Sequence, residues 1–310
     1  MKRRIRTAFT IIGIGGLLII IGILMGGSVK KTFYYNGCSD EKWCIDKEKL
    51  SMDNENTSSA LSADTHETQL AANTSALSRL TVDVDYVTLK IQPHDKQSVT
   101  YSIMNNTKKM KASVQVEGNT LMISTEKERK WNWFFGWSHD IGRTKIVITV
   151  KIPQNMLFDT ADINIGAGLL MLDGFTANQR FKLNTGAGEV DVKNIIASNV
   201  NIQTGVGETV FRNCSFTDTV MNTGIGETSF DGKIFKSLDI KAGIGEIDMR
   251  ISGKKDDYSI DITSGIGSVL VNGTSGSGLM GNMIKENDRA ASHTIRIKAG
   301  IGKVNIRFTE

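Results

Sequence analysis

Four glutamates, Glu189, Glu208, Glu227 and Glu246, follow one another at a fixed spacing of 19 residues, each directly after a G-x-G triplet. In a chain that folds in coils of that length they form one outward-facing column with a pitch of about 4.8 Å. Stacked carboxylates repel, so the column needs solvent, neighbouring Lys or Arg, or a bound cation to offset the repulsion. The chemistry on offer is a cation- or polycation-binding stripe. The plainer reading is a solvated acidic edge with ordinary counter-ions, and it is favoured because a hard-cation site usually requires about 6–8 oxygen ligands.

A second cluster is aromatic. Trp131, Trp133, Phe134, Phe135 and Trp137 lie close together, flanked by Lys127, Arg129, Lys130, Arg143 and Lys145. Such a group suits a membrane interface, stacking on sugar rings or the grip on a partner. It equally suits a plug over the open end of an apolar stack. Catalytic signals are missing: His66, His94, His139 and His293 are scattered and make no H-E-x-x-H pattern. Gly273-Thr-Ser275-Gly-Ser277 lacks the final glycine of a nucleophile elbow. No cofactor or metal is expected, and the chain reads as a non-enzyme.

The elements that would position these groups are announced by the glycines. G-x-G recurs seven times, at Gly166/Gly168, Gly186/Gly188, Gly205/Gly207, Gly224/Gly226, Gly243/Gly245, Gly265/Gly267 and Gly300/Gly302. The intervals are 20, 19, 19, 19, 22 and 35 residues, the mark of a solenoid. Apolar residues alternate before the glycines (Phe181 and Leu183, Leu238 and Ile240) and after them (Val190 and Val192, Ile247 and Met249). Period-two alternation predicts strands with one face buried. Each unit is therefore expected to be one β-helix coil with two short strands, cornered at G-x-G, where glycine reaches φ > 0 without a Cβ penalty. Asp173-Gly174, Asp231-Gly232 and Asn272-Gly273 are expected at the second corner. The middle residue grows from Ala to Val to Ile along the chain, which predicts that it fills the interior, with Ile225 and Ile244 pointing inward. Neither a dinucleotide fingerprint nor a calcium-binding nonapeptide roll fits these glycines.

Upstream, Leu80–Val84, Ser98–Ile103, Ala112–Val116 and Thr144–Val150 also alternate, and Gly118-Asn119 predicts a hairpin. Residues 80–160 are expected to cap the repeats of residues 161–310, since terminal solenoid units need atypical covers.

Thr7 to Val29 is an uncharged run of 23 residues. As a helix it would span about 34 Å, enough to cross a bilayer core of about 30 Å. It exceeds the usual apolar stretch of a cleaved signal peptide, so a retained signal anchor is expected. Lys2, Arg3, Arg4 and Arg6 precede it, against Lys30 and Lys31 after it, which predicts residues 1–6 in the cytoplasm and the remainder outside. The formal charge of +4 stems from this end. Beyond residue 31 there are 31 Lys and Arg against 33 Asp and Glu, so nucleic acid is not an expected partner. Residues 30–79 contain a Ser-, Thr- and Asn-rich stretch that reads as a solvated stalk. Cys38 and Cys44 lie close enough for a local disulfide, and Cys214 reads as structural.

The order of apolar span, strand block with a Trp-rich insertion, and coils of the form (T/A/S)-G-x-G-E resembles the putative-adhesin family of β-strand-repeat domains in bacterial envelope proteins. The similarity runs from about Leu80 to Glu310. It implies an all-β, right-handed single-stranded β-helix on the outer face of a cell, sometimes linked to envelope stress, and carries no catalytic residues. The expected function is a membrane-anchored, adhesin-like binding or structural module with an unidentified protein or glycan ligand. The alternatives are a signalling partner of another membrane protein, in contact through Trp131–Trp137, and a glycan-active enzyme on the coil flank.

Overall fold

The structure, a computed structural model, describes residues 67–70, 76–104, 110–127, 146–276, 282–286 and 291–309. The expected span at residues 7–29, Cys38, Cys44 and the aromatic segment Trp131–Trp137 lie outside these residues. Among the described residues no helix is long and apolar enough to cross a membrane.

The strands, in chain order, are β1 (Thr68–Gln69), β2 (Arg79–His94), β3 (Thr100–Met104), β4 (Met110–Glu117), β5 (Thr120–Lys127), β6 (Ile146–Pro153), β7 (Met156–Asp173) and β8 (Phe175–Lys193). They continue with β9 (Ile196–Ser252), β10 (Tyr258–Val271), β11 (Thr274–Ser275), β12 (Asn282–Glu286) and β13 (His293–Thr309). The long strands are coils, bent at corners and paired in parallel with the coil above and below. β2 pairs β7, β7 pairs β8 and β8 pairs β9, each across the corner. β9 alone holds three G-x-G corners, whose glycines sit directly over one another.

The stack extends beyond the G-x-G repeat. β2 is a coil of the same register, with Val84-Asp85-Tyr86-Val87 opposite Ile165-Gly166-Ala167-Gly168. Next to it β5 pairs with the first half of β2 and β6 with the second half, so the two together build the terminal coil. β3 and β4 cover that end antiparallel, and the predicted hairpin is present between β4 and β5 with Gly118 at φ +59°.

Two features set the coil apart from the plain repeat, and the first corrects the expected two strands. First, each coil has a third side: Phe175–Ala177 pairs with Met156–Phe158, and Ile196–Ala197 pairs with Thr176–Ala177. Left-handed residues turn the chain into and out of it, Asn194 and Asn213 at one bend, Asn199, Asp218 and Lys236 at the other. Asparagine tolerates φ > 0 better than most residues, and its amide bonds the next coil: Asn194 Nδ2 donates to Asp173 Oδ1 (2.8 Å) and Asn213 Nδ2 to Asn194 Oδ1 (2.6 Å). The third side brings in a run of packed rings, Phe158, Phe175, Phe181, Phe216, Phe211 and Phe230, with successive centroids 5.5–6.3 Å apart. Cys214 is buried there, its thiol pushed up to about 11 by desolvation, a structural residue as expected.

Second, the coils do not stack in chain order. β13 lies between the last coil of β9 and β10, parallel to both. Charge explains the choice. Arg296 stands in register with Asp239 on one side and Asp261 on the other. Lys303 bridges to Glu246 (3.0 Å) and Arg307 to Asp248 (2.9 Å), while Asn305 Nδ2 donates to Asp248 Oδ1 (3.0 Å). Direct stacking of β10 on β9 would place Asp261 over Asp239 instead, and like charges in register destabilise a sheet. Each exposed pair contributes little alone, about 0–1 kcal/mol, but together they favour one order over the other. The outer edge of β10 is covered by the antiparallel β12, as exposed sheet edges require.

Candidate functional site

The corner is where the coil exteriors become regular. Its second glycines have φ between +132° and +148°, a region that L side chains rarely enter. A Cβ on Gly188, Gly207, Gly226, Gly245, Gly267 or Gly302 would stand 1.6–1.9 Å from the carbonyl oxygen of the glycine in the neighbouring coil. The first glycines, Gly186, Gly205, Gly224, Gly243, Gly265 and Gly300, leave a Cβ only 2.2–2.7 Å from the stacked oxygen. Both glycine columns are thus demanded by close backbone approach, and only the second also takes the φ > 0 expected of the corner.

The residue between them does not point inward. Val206 is 54% exposed, Ile225 42% and Ile266 67%, and Ile244 is half-buried. The expectation that this column fills the interior is overturned: it forms an outer ridge that runs Tyr86, Ala167, Ala187, Val206, Ile225, Ile244, Ile301, Ile266 in spatial order. The interior is filled by the flanking strands, with Val200, Ile202, Leu238, Ile240, Ile247 and Met249 all at 2% exposure or less.

On one flank of the ridge runs the glutamate column. Glu189 is in register with Glu208, and Glu208, Glu227 and Glu246 follow coil by coil within β9. Because β13 intercalates, Lys303 closes the column against Glu246. Partial burial, reinforced by repulsion from Glu208, Glu246 and Asp248, raises the Glu227 carboxyl above the ordinary glutamate value. A carboxyl that holds its proton more tightly in the folded chain favours the fold below the ordinary glutamate pKa. That contribution is lost as pH rises through the raised value. Glu227→Gln is therefore expected to raise the melting temperature slightly at neutral pH and to leave it unchanged in acid. Melts at the two pH values check this, and a Gln variant that is less stable at neutral pH would contradict the repulsion. Among the described residues, no three Asp, Glu, His or Cys side chains converge as a metal centre would require.

On the other flank lies a shallow groove of about 660 Å³ that crosses five coils, from Asp83–Asp85 to Asn222–Gly224. Its far bank is an amide column, Asn164, Asn184, Gln203 and Asn222, in register along the stack. Its floor carries Thr185, Thr204 and Thr223, and its near wall is the first glycine column. Asn184 Nδ2 donates to Asn164 Oδ1 (2.6 Å), but Gln203 turns to Asn201 of its own coil, and Asn184 Oδ1 stays buried without a hydrogen-bond partner among the described residues. Sequence reasoning missed this groove, although the signal was there: an amide stands at the same offset before four corners, and Thr directly before three.

The sequence matches the Toastrack DUF4097 model over residues 77–307. No curated protein matches it. A putative cell adhesion protein from Clostridium sporogenes is similar in structure at 13% identity and a TM-score of 0.34, covering 79% of this chain and 100% of its own. A putative adhesin from Bacteroides fragilis, also 13% identical, gives a TM-score of 0.37 over 78% of this chain and 95% of its own. The match covers most of the chain and all of its coils, and the chain belongs to the Toastrack DUF4097 family.

Proposed function

We propose that the protein is a non-enzymatic binding scaffold of the bacterial cell surface, held by residues 7–29 in the membrane with residues 1–6 in the cytoplasm and the coils outside. The observation that carries this reading is the corner: glycine, apolar, carboxylate and amide columns aligned coil over coil on the exterior. Catalysis gathers a few different groups around one reacting atom, with geometry held to fractions of an ångström. Here one residue type recurs at the coil pitch along an open surface, which suits many weak contacts with an extended partner. The aromatic segment Trp131–Trp137 joins β5 to β6 of the terminal coil, and we assign it a contact with the membrane or with a neighbouring envelope protein.

Protease added to intact cells, with any outer wall removed, should destroy the coils after residue 80 and spare an N-terminal tag. A protected coil domain would overturn the orientation and with it the surface role.

A further inference from the structure

We infer that the groove beside the glycine corner binds a neutral, extended polysaccharide, an inference that rests on the surface-scaffold reading and gives it a ligand class. A sugar ring presents two kinds of surface, hydroxyls at its edge and C–H groups on its faces. The groove has a counterpart for the first, and the ridge beside it has one for the second. On one bank Asn164, Asn184, Gln203 and Asn222 carry amides that both donate and accept, so they meet hydroxyls of either polarity. Beyond the glycine wall stands the apolar ridge, low at Ala167 and Ala187, with Tyr86 half-exposed at one end, directly after Asp85 of the lining. An aromatic face beside polar groups is the pairing that a ring with a wet edge and an apolar face requires.

Charge narrows the class. From Asn164 to Gly224 the lining holds no charged side chain, and its only carboxylates, Asp83 and Asp85, sit together at one end. A sulfated, phosphorylated or uronate polymer would find no cation along the groove and would meet those carboxylates on entry. An extended peptide would gain most by adding its backbone to a free sheet edge. The coils that line the groove have their backbone paired on both sides within the stack. Five coils at about 4.8 Å each make a trough long enough for several sugar units.

The test is calorimetric titration of the full-length chain with cellohexaose, mannohexaose and N-acetylchitohexaose, and with hexagalacturonate as the charged counterpart. At least one neutral hexamer should bind, and hexagalacturonate should bind more weakly or not at all. Tyr86→Ala and Asn222→Ala should each weaken the binding about tenfold. Glu227→Gln, across the ridge, should leave it unchanged. Tyr86 is exposed, so its truncation keeps the test valid even if Asn222→Ala lowers the melting temperature. Binding of none of the neutral hexamers, preference for hexagalacturonate, or binding that survives Tyr86→Ala would overturn the assignment. Absence of sugar binding by a chain whose coils are protease-accessible on cells removes the site alone. Protected coils remove the scaffold reading whatever the titration shows.

Discussion

Gly226→Ala is expected to cost at least about 3 kcal/mol, a large share of a total stability of about 5–15 kcal/mol. Gly226 sits at φ +145°, and its added Cβ would lie 1.8 Å from the carbonyl oxygen of Gly207. Relief would require the neighbouring coil to move away, but that coil is held in the same manner by Gly207 over Gly188. A local substitution thus becomes a strain on several ladders at once. Gly118→Ala is the internal comparison: Gly118 also has positive φ, at +59°, yet a Cβ there meets nothing within 4 Å. It should cost only the backbone penalty of about 1–2 kcal/mol. Urea melts of the two variants separate crowding from backbone conformation, and equal losses would show that the glycine column is not the constraint.

The second large effect concerns inside and outside. Ile240 is fully buried, in register with Ile297 of β13. Ile240→Asp places a carboxylate in an apolar stack and removes its packing, and truncation alone costs about 2–5 kcal/mol at such sites. The chain should fail to fold or melt far below the parent. Ile225→Asp should be nearly silent in the same melts, because the ridge already meets solvent. A severe loss at Ile225 with tolerance at Ile240 would reverse the assignment of the faces.

Sequence periodicity disclosed the coils, because in the repeated coils close backbone approach demands glycine in both corner columns. It misdirected the ridge for a reason of parity. Ile202 and Thr209 both point inward on either side of one corner, yet they are an odd number of residues apart. Strict alternation must therefore break between them. Counting from Ile202 puts Val206 inside, whereas counting from Thr209 puts it outside, as observed. The growth from Ala to Ile settled that ambiguity the wrong way. The third side escaped notice because Ile195–Ala197 and Cys214–Phe216 are too short to alternate convincingly. The glutamate column, by contrast, stands on the outside as its spacing predicted, since four carboxylates at one pitch have no other stable place. The position of β13 was legible only in hindsight: a gap of 35 residues before the last G-x-G, and a basic strand bearing Arg296, Lys298, Lys303 and Arg307 after a more acidic one.

The placement of β13 also governs the order in which the stack can close. Most coils can dock as they emerge during synthesis, each on the one made just before it, which keeps contacts local and folding fast. The coil of β10 cannot do so. Its native neighbour, β13, is made later, and until it arrives the upper edge of β9 and the facing edge of β10 stand open. Folding therefore ends with a C-terminal strand threading between two coils already made. While it is awaited, the open edges are templates for the wrong partner, whether β10 settling directly on β9 or the same strands of another chain. The seventeen residues from His293 to Thr309 act as a keystone, and a chain that stalls before them stays open at one end.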